Sequence, residues 1–211
     1  MQTSEFVRFL MDNHMSVFSI NDATKILRKP REYTWLFLSR CIKQNKLGKA
    51  ERGVYYLKER SNEYEIASGI VTPSYISLVS ALAYYGLTTQ IPNTVYVVST
   101  KRHRAVKGAM GYDIVFKHIA KGMMFGYHKE ASGNISVADP EKAIVDIYYF
   151  NDVNDLDETM LDKPSRIDVG RLAEYALRSG RKTVISRTAE LLDEHGYKKE
   201  ARLLSQAGMA K

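Results

Sequence analysis

The sequence has little of what disulfide-stabilised or membrane-spanning proteins require. It contains a single cysteine, Cys41, which excludes an intramolecular disulfide and a cysteine-based zinc site. No apolar run approaches the roughly 18 residues of a membrane-crossing helix, and the N-terminal stretch MQTSEFVRFLMDNH lacks the zones of a signal peptide. We therefore expect a cytoplasmic protein that does not bind membranes, with Cys41 acting as a small buried apolar side chain.

A recognisable catalytic or metal-binding motif is also missing. His103, His118 and His128 lie in or beside predicted strands together with Asp113 and Glu130, but their spacing matches no metal-binding motif. We therefore expect no enzymatic activity, no cofactor and no metal. A nuclease or an RNA-modifying enzyme that uses these side chains stays open as an alternative.

Positive charge is abundant and unevenly distributed. The chain of 211 residues has a net charge of +7, yet residues 1–60 contain twelve bases and six acids, whereas the remaining residues contain 19 bases and 18 acids. The stretch from Lys25 to Arg52 alone has nine bases and two acids. Such an asymmetry is typical of a module that binds a polyanion joined to a module with a different task.

The pattern of residues 1–58 predicts a winged helix-turn-helix. Helical spacing predicts a first helix around Phe6 to Met11 and a second helix that Ser19 caps. Pro30 then precedes a third helix from Arg31 to about Asn45, whose inward side is predicted to contain Trp35, Leu38, Cys41 and Ile42. Two short strands follow, joined by a turn with the sequence ERG at residues 51–53, and this hairpin would be the wing.

The predicted third helix and wing have the composition of a DNA-binding surface. Lysine and arginine side chains neutralise phosphates, and a helix in the major groove presents its first turns to base edges. The predicted DNA contacts are Arg28, Lys29, Arg31, Tyr33, Thr34, Arg40, Lys43, Lys49 and Arg52. A winged helix that binds a protein, or RNA, is the alternative interpretation of the same charge.

The rest of the chain predicts a connector at residues 59–72 and an α+β domain at residues 73–211. The connector has a short helical pattern, and Pro73 begins a helical pattern that ends at Gly86. Strand patterns at 94–100, 112–119, 123–130 and 134–138 predict a small sheet. Asp139 and Pro140 mark a helix start, with Asp139 as the N-cap, and further helical patterns predict a helical C-terminus.

A second basic cluster follows the first predicted strand of this domain. Its exposed cations are predicted to be Lys101, Arg102 and Arg104, with Lys107 and His103 nearby. The cluster has few aromatic neighbours, so a solvated loop is the simpler interpretation and a phosphate or RNA contact is the alternative.

Several short motifs follow one another along the chain. They are RGVYYL at 52–57, SYIS at 74–77 with SAL at 80–82, STKR at 99–102, and ADPEKA at 138–143 with Asp146. Together they resemble the AbiEi family, the antitoxins of AbiE abortive-infection systems, in which RGVYYL is similar to the wing strand. The order and spacing of these motifs cover roughly residues 3–150.

The resemblance implies a biological setting for the DNA-binding domain. It implies an antitoxin that represses its own operon by binding its promoter, within a type IV toxin–antitoxin system of phage defence. The second domain would mediate antitoxicity against a nucleotidyltransferase-like toxin, without a stable complex between the two proteins. These are expectations from the resemblance alone.

Overall fold

The chain folds around two groups of buried apolar side chains. The computed structural model describes residues 1–88, 93–131, 134–153 and 166–209. One group lies between Phe6 and Leu57, and the larger group extends from Ala50 to Leu204. Helices and strands occur in both, so the protein belongs to the mixed α+β class that its sequence predicts. None of the helices in these ranges combines the length and the apolar character that crossing a bilayer requires.

Residues 1–58, called the N-terminal segment below, are all described and contain three helices and three short strands. In chain order these are α1 (Thr3–Asp12), β1 (Val17–Ser19), α2 (Ile20–Leu27), α3 (Arg31–Lys43), β2 (Leu47–Glu51) and β3 (Val54–Leu57). The strands pair antiparallel in the order β1-β3-β2. This order of elements agrees with the sequence prediction, although α3 ends two residues earlier than expected.

Aromatic rings form the centre of the N-terminal core. Phe6 of α1 is fully buried, and its ring packs edge-to-face against Phe18 and Phe37, with centroid distances of 5.8 and 5.3 Å. Burial of one such side chain is worth roughly 1.5–3 kcal/mol. Cys41 lies in the same core, as predicted, and desolvation raises the pKa of its thiol. The rings therefore hold α1, β1 and α3 together.

Helix α2 begins at a reciprocal capping box. The Asp22 N–H donates to Ser19 Oγ at 3.2 Å, and the Ser19 N–H donates to Asp22 Oδ2 at 2.9 Å. A cap of this kind contributes about 1 kcal/mol. Arg28 ends the helix in the left-handed conformation, with φ of 52°, which turns the chain sharply towards α3.

The inward face of α3 differs from the prediction. Trp35 is 55% exposed, whereas Thr34 is fully buried. The buried positions are Thr34, Phe37, Leu38 and Cys41, which follow the i, i+3, i+4, i+7 spacing of one helix face. Thr34 can occupy this face because its hydroxyl donates to the Pro30 carbonyl at 3.1 Å. The prediction that Trp35 points inward is therefore wrong.

The remainder of the described chain contains a larger sheet and a set of helices. Its elements are α4 (Glu63–Ile70), β4 (Ser74–Ile76), α5 (Leu78–Tyr84), β5 (Thr94–Ser99), β6 (Val106–Ala109), β7 (Tyr112–His118), a 3₁₀ turn (Lys121–Met123), β8 (Tyr127–Lys129), β9 (Ser136–Ala138), α6 (Pro140–Phe150), α7 (Val169–Arg178), α8 (Lys182–Glu194) and α9 (Lys198–Met209). The predicted C-terminal helical patterns correspond to α7, α8 and α9.

Within the described residues this sheet has six strands, in the order β6-β7-β5-β4-β9-β8. It is mixed, since β5 runs parallel to β7 and β4 runs parallel to β9. Two predictions need correction. Residues 74–76 form β4 rather than the start of a helix, and most of the predicted strand at 123–130 is a 3₁₀ turn and loop before β8. Residues 74–76 pair with β5 and β9, and such pairing decides between helix and strand for a short apolar run.

The predicted connector packs against the N-terminal segment. Asn62 caps α4 by accepting from the Glu65 N–H at 2.9 Å, and Ser61 Oγ donates to the Ser16 carbonyl at 3.0 Å. A Cβ atom on Gly69 would lie only 2.6 Å from Val17 Cγ1. Since Gly69 has no side chain, the backbone of α4 can lie directly against Val17 of β1.

Candidate nucleic-acid interface

Helix α3 and the turn between β2 and β3 form the two sides of a groove about 480 Å³ in volume. Arg31, Trp35 and Leu36 line the α3 side, and Lys49 and Arg52 line the other side. The turn itself contains Gly53 with φ of 87°, a backbone conformation that side chains other than glycine rarely adopt. The fold thus brings together cations that are as far apart in sequence as residues 31 and 52.

A second groove, about 820 Å³ in volume, lies between α1 and α3. Tyr33, Phe37 and Arg40 line it on the α3 side, and Arg8 lines it on the α1 side. The predicted DNA contacts on α3 are therefore divided between two sides of the helix, with Arg31 facing the turn and Arg40 facing α1. The outermost positions of α3 lie opposite its buried face, and at 3.6 residues per turn these are Glu32, Leu36, Ser39 and Lys43.

The cations predicted to contact DNA share one property, which is exposure without a carboxylate partner. We call the following set the basic face: Arg28, Lys29, Arg31, Arg40, Lys43, Lys49 and Arg52. All seven are exposed, and in the described part of the chain none of them forms an ion pair with a carboxylate. By contrast, Lys46, Lys107 and Lys117 pair with carboxylates at 2.6–2.9 Å. The basic face thus presents its full charge to solvent.

Two members of the basic face have local contacts that hold their side chains in place. Arg31 Nη1 donates to Asn21 Oδ1 of α2 at 3.3 Å, and the Lys29 ammonium lies 6.0 Å from the centre of the Tyr33 ring. Burial raises the pKa of Tyr55 on β3, and the neighbouring charge of Arg31 opposes that rise. Arg31 therefore stands at the junction of α2, α3 and β3.

Thr34 does not belong to this surface, although the sequence placed it among the DNA contacts. Its side chain is fully buried and its hydroxyl donates to the carbonyl of Pro30, the residue before α3. Tyr33, which is 45% exposed, remains accessible. The helix phase explains the difference, because Thr34 begins the buried stripe that Phe37, Leu38 and Cys41 continue.

Two apolar side chains on this surface were missed by the sequence analysis. Trp35 and Leu36 are 55% and 57% exposed, and both border the groove between α3 and the turn. The sequence analysis predicted that Trp35 is buried, and it therefore did not consider Trp35 and Leu36 as surface residues. The signal that could have found them is the spacing of Phe37, Leu38 and Cys41, which turns positions 35 and 36 away from the core.

Comparisons with known proteins assign no family to this chain. It matches no protein-family model, and no curated protein is significantly similar to it. The function is therefore inferred below from the geometry and charge of the surface that α3 and the β2–β3 turn form.

The second basic cluster lies next to the turn in space. Lys101, Arg102 and Arg104 are exposed, while His103 between them turns inward and its Nε2 lies 3.2 Å from a Glu51 carboxylate oxygen. Glu51 is the residue before Arg52, so the cluster and the basic face meet at this edge. The sequence analysis treated the two groups of cations as separate.

Two of the three histidines of the enzymatic alternative are engaged in separate contacts, and His118 is exposed at the end of β7. His103 contacts Glu51, Asp113 pairs with Lys107 at 2.6 Å, and His128 Nε2 lies 3.5 Å from Glu130. Across the described ranges, no group of three or more His, Cys, Asp or Glu side chains is arranged to hold a metal ion.

The motifs at 74–77 and 138–146 meet in a buried polar network. Asp146 of α6 accepts from the Tyr75 hydroxyl at 3.0 Å and from Ser77 Oγ at 2.7 Å, and Lys142 donates to its other oxygen. The side chains of Lys142 and Asp146 are completely buried. Desolvation lowers the pKa of Lys142 and raises that of Asp146. These residues join α6 to β4 inside the protein rather than at its surface.

Asp139 occupies the N-cap position of α6, as predicted, but its side chain makes no capping hydrogen bond. Its carboxylate instead accepts from the Tyr175 hydroxyl at 2.9 Å and lies 3.0 Å from His128 Nδ1. Pro140 occupies the first helical position, where its missing N–H costs nothing. The carboxylate thereby links β8 and α7 to the start of α6.

Proposed function

We propose that residues 1–58 form a winged helix-turn-helix that binds double-stranded DNA, and that the protein is a sequence-specific transcriptional regulator. In this proposal α3 enters the major groove and the β2–β3 turn is the wing. The single observation that carries the proposal is the basic face, seven exposed cations without carboxylate partners around one helix and one turn.

The chemistry of DNA fits this arrangement. Each phosphate that a lysine or arginine neutralises releases counterions, which favours binding and makes it depend on salt. Cations on both sides of α3 match the two phosphate backbones that flank a major groove, and Arg52 on the turn reaches the adjacent backbone or the minor groove. Glu51 at the same turn contacts His103, so this carboxylate is held by a contact within the protein.

The start of α3 supplies the base contacts in this proposal. Arg31 stands in the first turn of the helix, where recognition helices read base edges, and its guanidinium can form a bidentate pair with guanine. Lys43 and Arg40 in the last turns then contact phosphates. Tyr33 contributes a sugar or phosphate contact on the side of α1.

The resemblance to AbiEi antitoxins adds a setting to this proposal. We propose that the DNA target is the promoter of the protein's own operon, and that a nucleotidyltransferase-like toxin is the functional partner. In that setting the protein represses its own transcription and its C-terminal part counters the toxin without a stable complex.

The proposal is tested by the affinity of the protein for the duplex upstream of its own reading frame and for random duplex of equal length. We expect a preference of about a thousandfold or more. We also expect the logarithm of the binding constant to fall with the logarithm of salt concentration, with a slope of about −5 if the six cations other than Arg31 contact phosphates. Equal affinity for both duplexes would contradict sequence-specific regulation, and no binding at low salt would contradict DNA binding itself.

A protein-binding winged helix is the second candidate, and the exposure of Trp35 and Leu36 favours it. Two large adjacent apolar side chains on a surface are common features of protein interfaces. This candidate predicts that α3 binds no DNA even at low salt and that Trp35→Ala abolishes binding to a protein partner.

A further inference from the structure

Leu36 is the one large aliphatic side chain on the outermost stripe of α3 in the described structure. That stripe consists of Glu32, Leu36, Ser39 and Lys43. The side chain of Leu36 is 57% exposed, although α3 has a complete core-facing stripe without it. The core therefore does not require an apolar side chain at position 36.

The surroundings of Leu36 are charged on every side. Arg31 and Arg52 lie with it around the groove towards the turn, Lys43 follows two turns later on the same stripe, and Arg40 lies on the side of α1. Glu32, one turn before Leu36, is the one acidic residue of α3, so an apolar partner protein would have to cover more cations than this carboxylate can neutralise. A partner that is anionic around its rim and apolar at one central point fits the surface better.

The major groove of DNA has this character. Its walls are phosphates, and its floor presents one apolar group, the C5-methyl group of thymine. A side chain at the outermost position of a helix in the groove points at that floor. Leucine can contact a methyl group, but it can neither donate to nor accept from any base edge.

We infer that Leu36 contacts a thymine methyl group and thereby selects thymine at one position of the DNA site. This inference rests on the proposed DNA binding and adds to it a residue that determines specificity. Burial of the methyl group against Leu36 removes apolar surface from water on both partners. Trp35, one residue earlier, turns towards the β2–β3 turn and contributes to the wall of the groove instead.

The test uses a duplex obtained by selecting random-sequence DNA for binding to the wild-type protein. The same duplex is then made with every thymine replaced by 2′-deoxyuridine, which removes the methyl groups and leaves the pairing edges unchanged. For wild-type protein we expect the deoxyuridine duplex to bind about fourfold more weakly for each methyl group in contact. For Leu36→Ala we expect that ratio to fall towards one, because the variant has already lost the contact.

Leu203→Ala is the matched control. Leu203 is 54% exposed on α9, outside the basic face, and its substitution should leave the thymine-to-deoxyuridine ratio at the wild-type value. Thermal unfolding of both variants should match that of the wild type, since neither side chain is buried.

Each outcome of the experiment decides the inference. A selected sequence without thymine, or equal affinity of wild-type protein for the two duplexes, overturns the inference while DNA binding stands. A wild-type ratio that Leu36→Ala retains assigns the methyl contact to another residue. A change of oligomeric state in Leu36→Ala, with the ratio retained, makes Leu36 a self-association contact. Failure to bind any duplex overturns the proposed function itself.

Discussion

The imidazole Nε2 of His103 lies 3.2 Å from a carboxylate oxygen of Glu51, and this contact ties the β2–β3 turn to the loop after β5. The other ring nitrogen, Nδ1, lies 2.8 Å from the Arg104 carbonyl, so it donates there. The ring packs edge-to-face on Phe116 at 4.7 Å. The acidic residue of the turn is thus part of a structural contact, which leaves Arg52 as the charge that faces outward.

Loss of the His103 contact should loosen the turn. We expect His103→Ala to increase amide hydrogen exchange in β2 and β3. We also expect it to weaken DNA binding a few-fold, because a less ordered turn loses more conformational entropy when it binds. Leu203→Ala is the control, since it removes an exposed side chain of α9, outside the β2–β3 hairpin, and leaves the net charge unchanged. Unchanged exchange in β2 and β3 of His103→Ala would show that the contact does not order the turn.

Arg31 and Arg52 should have different effects on DNA binding. Arg31→Ala should cost about 1–3 kcal/mol on the specific duplex and relax sequence preference, whereas Arg52→Ala should weaken all duplexes about equally and reduce the salt slope by about 1. Titration of specific and random duplexes measures both effects. Lys199→Ala, an exposed change on α9, should alter neither. Equal losses on both duplexes for both arginine variants would refute the assignment of α3 as the recognition helix.

The elements with strong local signals were predictable from sequence. The Ser19 cap, the helical spacing of α1 and α2, and the Pro140 start of α6 depend on neighbouring residues, so sequence patterns find them. Residues 74–76 could not be assigned in this way. Their three side chains are all buried, and only pairing with β5 and β9 makes them a strand.

The positive charge of the candidate site was predictable from sequence, but which residues of α3 face the core and which face solvent was not. Composition alone locates the cations of the basic face. The rotation of α3 about its axis decides whether position 34 or position 35 enters the core. Thr34 can be buried because its hydroxyl donates to the Pro30 carbonyl, so the more hydrophobic Trp35 lies at the surface. The contact between His103 and Glu51 joins parts 52 residues apart, and no local pattern indicates it.

The buried side chains of Lys142 and Asp146 should depend on each other for their contribution to stability. Lys142→Met leaves the Asp146 carboxylate buried without its cation, and we expect a loss of about 3–5 kcal/mol in the free energy of unfolding. The double variant Lys142→Met/Asp146→Asn should recover part of this loss, since the Asn oxygen is neutral and still accepts from Tyr75 or Ser77. Urea unfolding measures both. A double variant no more stable than Lys142→Met would contradict a charge-driven loss.

Glu141 should make stability depend on pH. It is 2% exposed, and desolvation raises its pKa against the opposing hydrogen bond from the Asp168 N–H. A carboxyl group whose pKa is raised in the folded state contributes stability below its unfolded pKa and loses that contribution as pH rises through its folded pKa. Glu141→Gln should therefore gain stability relative to wild type as pH increases from about 4.3 towards neutrality. A stability difference that stays constant over this range would contradict the raised pKa.

The most direct test of DNA binding by the basic face is amide hydrogen exchange of the protein with and without the upstream duplex. We expect protection on DNA addition in α3 and in the β2–β3 turn, between residues 28 and 53, with α7, α8 and α9 unchanged. Protection confined to the C-terminal helices, or exchange that the duplex leaves unchanged throughout, would contradict the account.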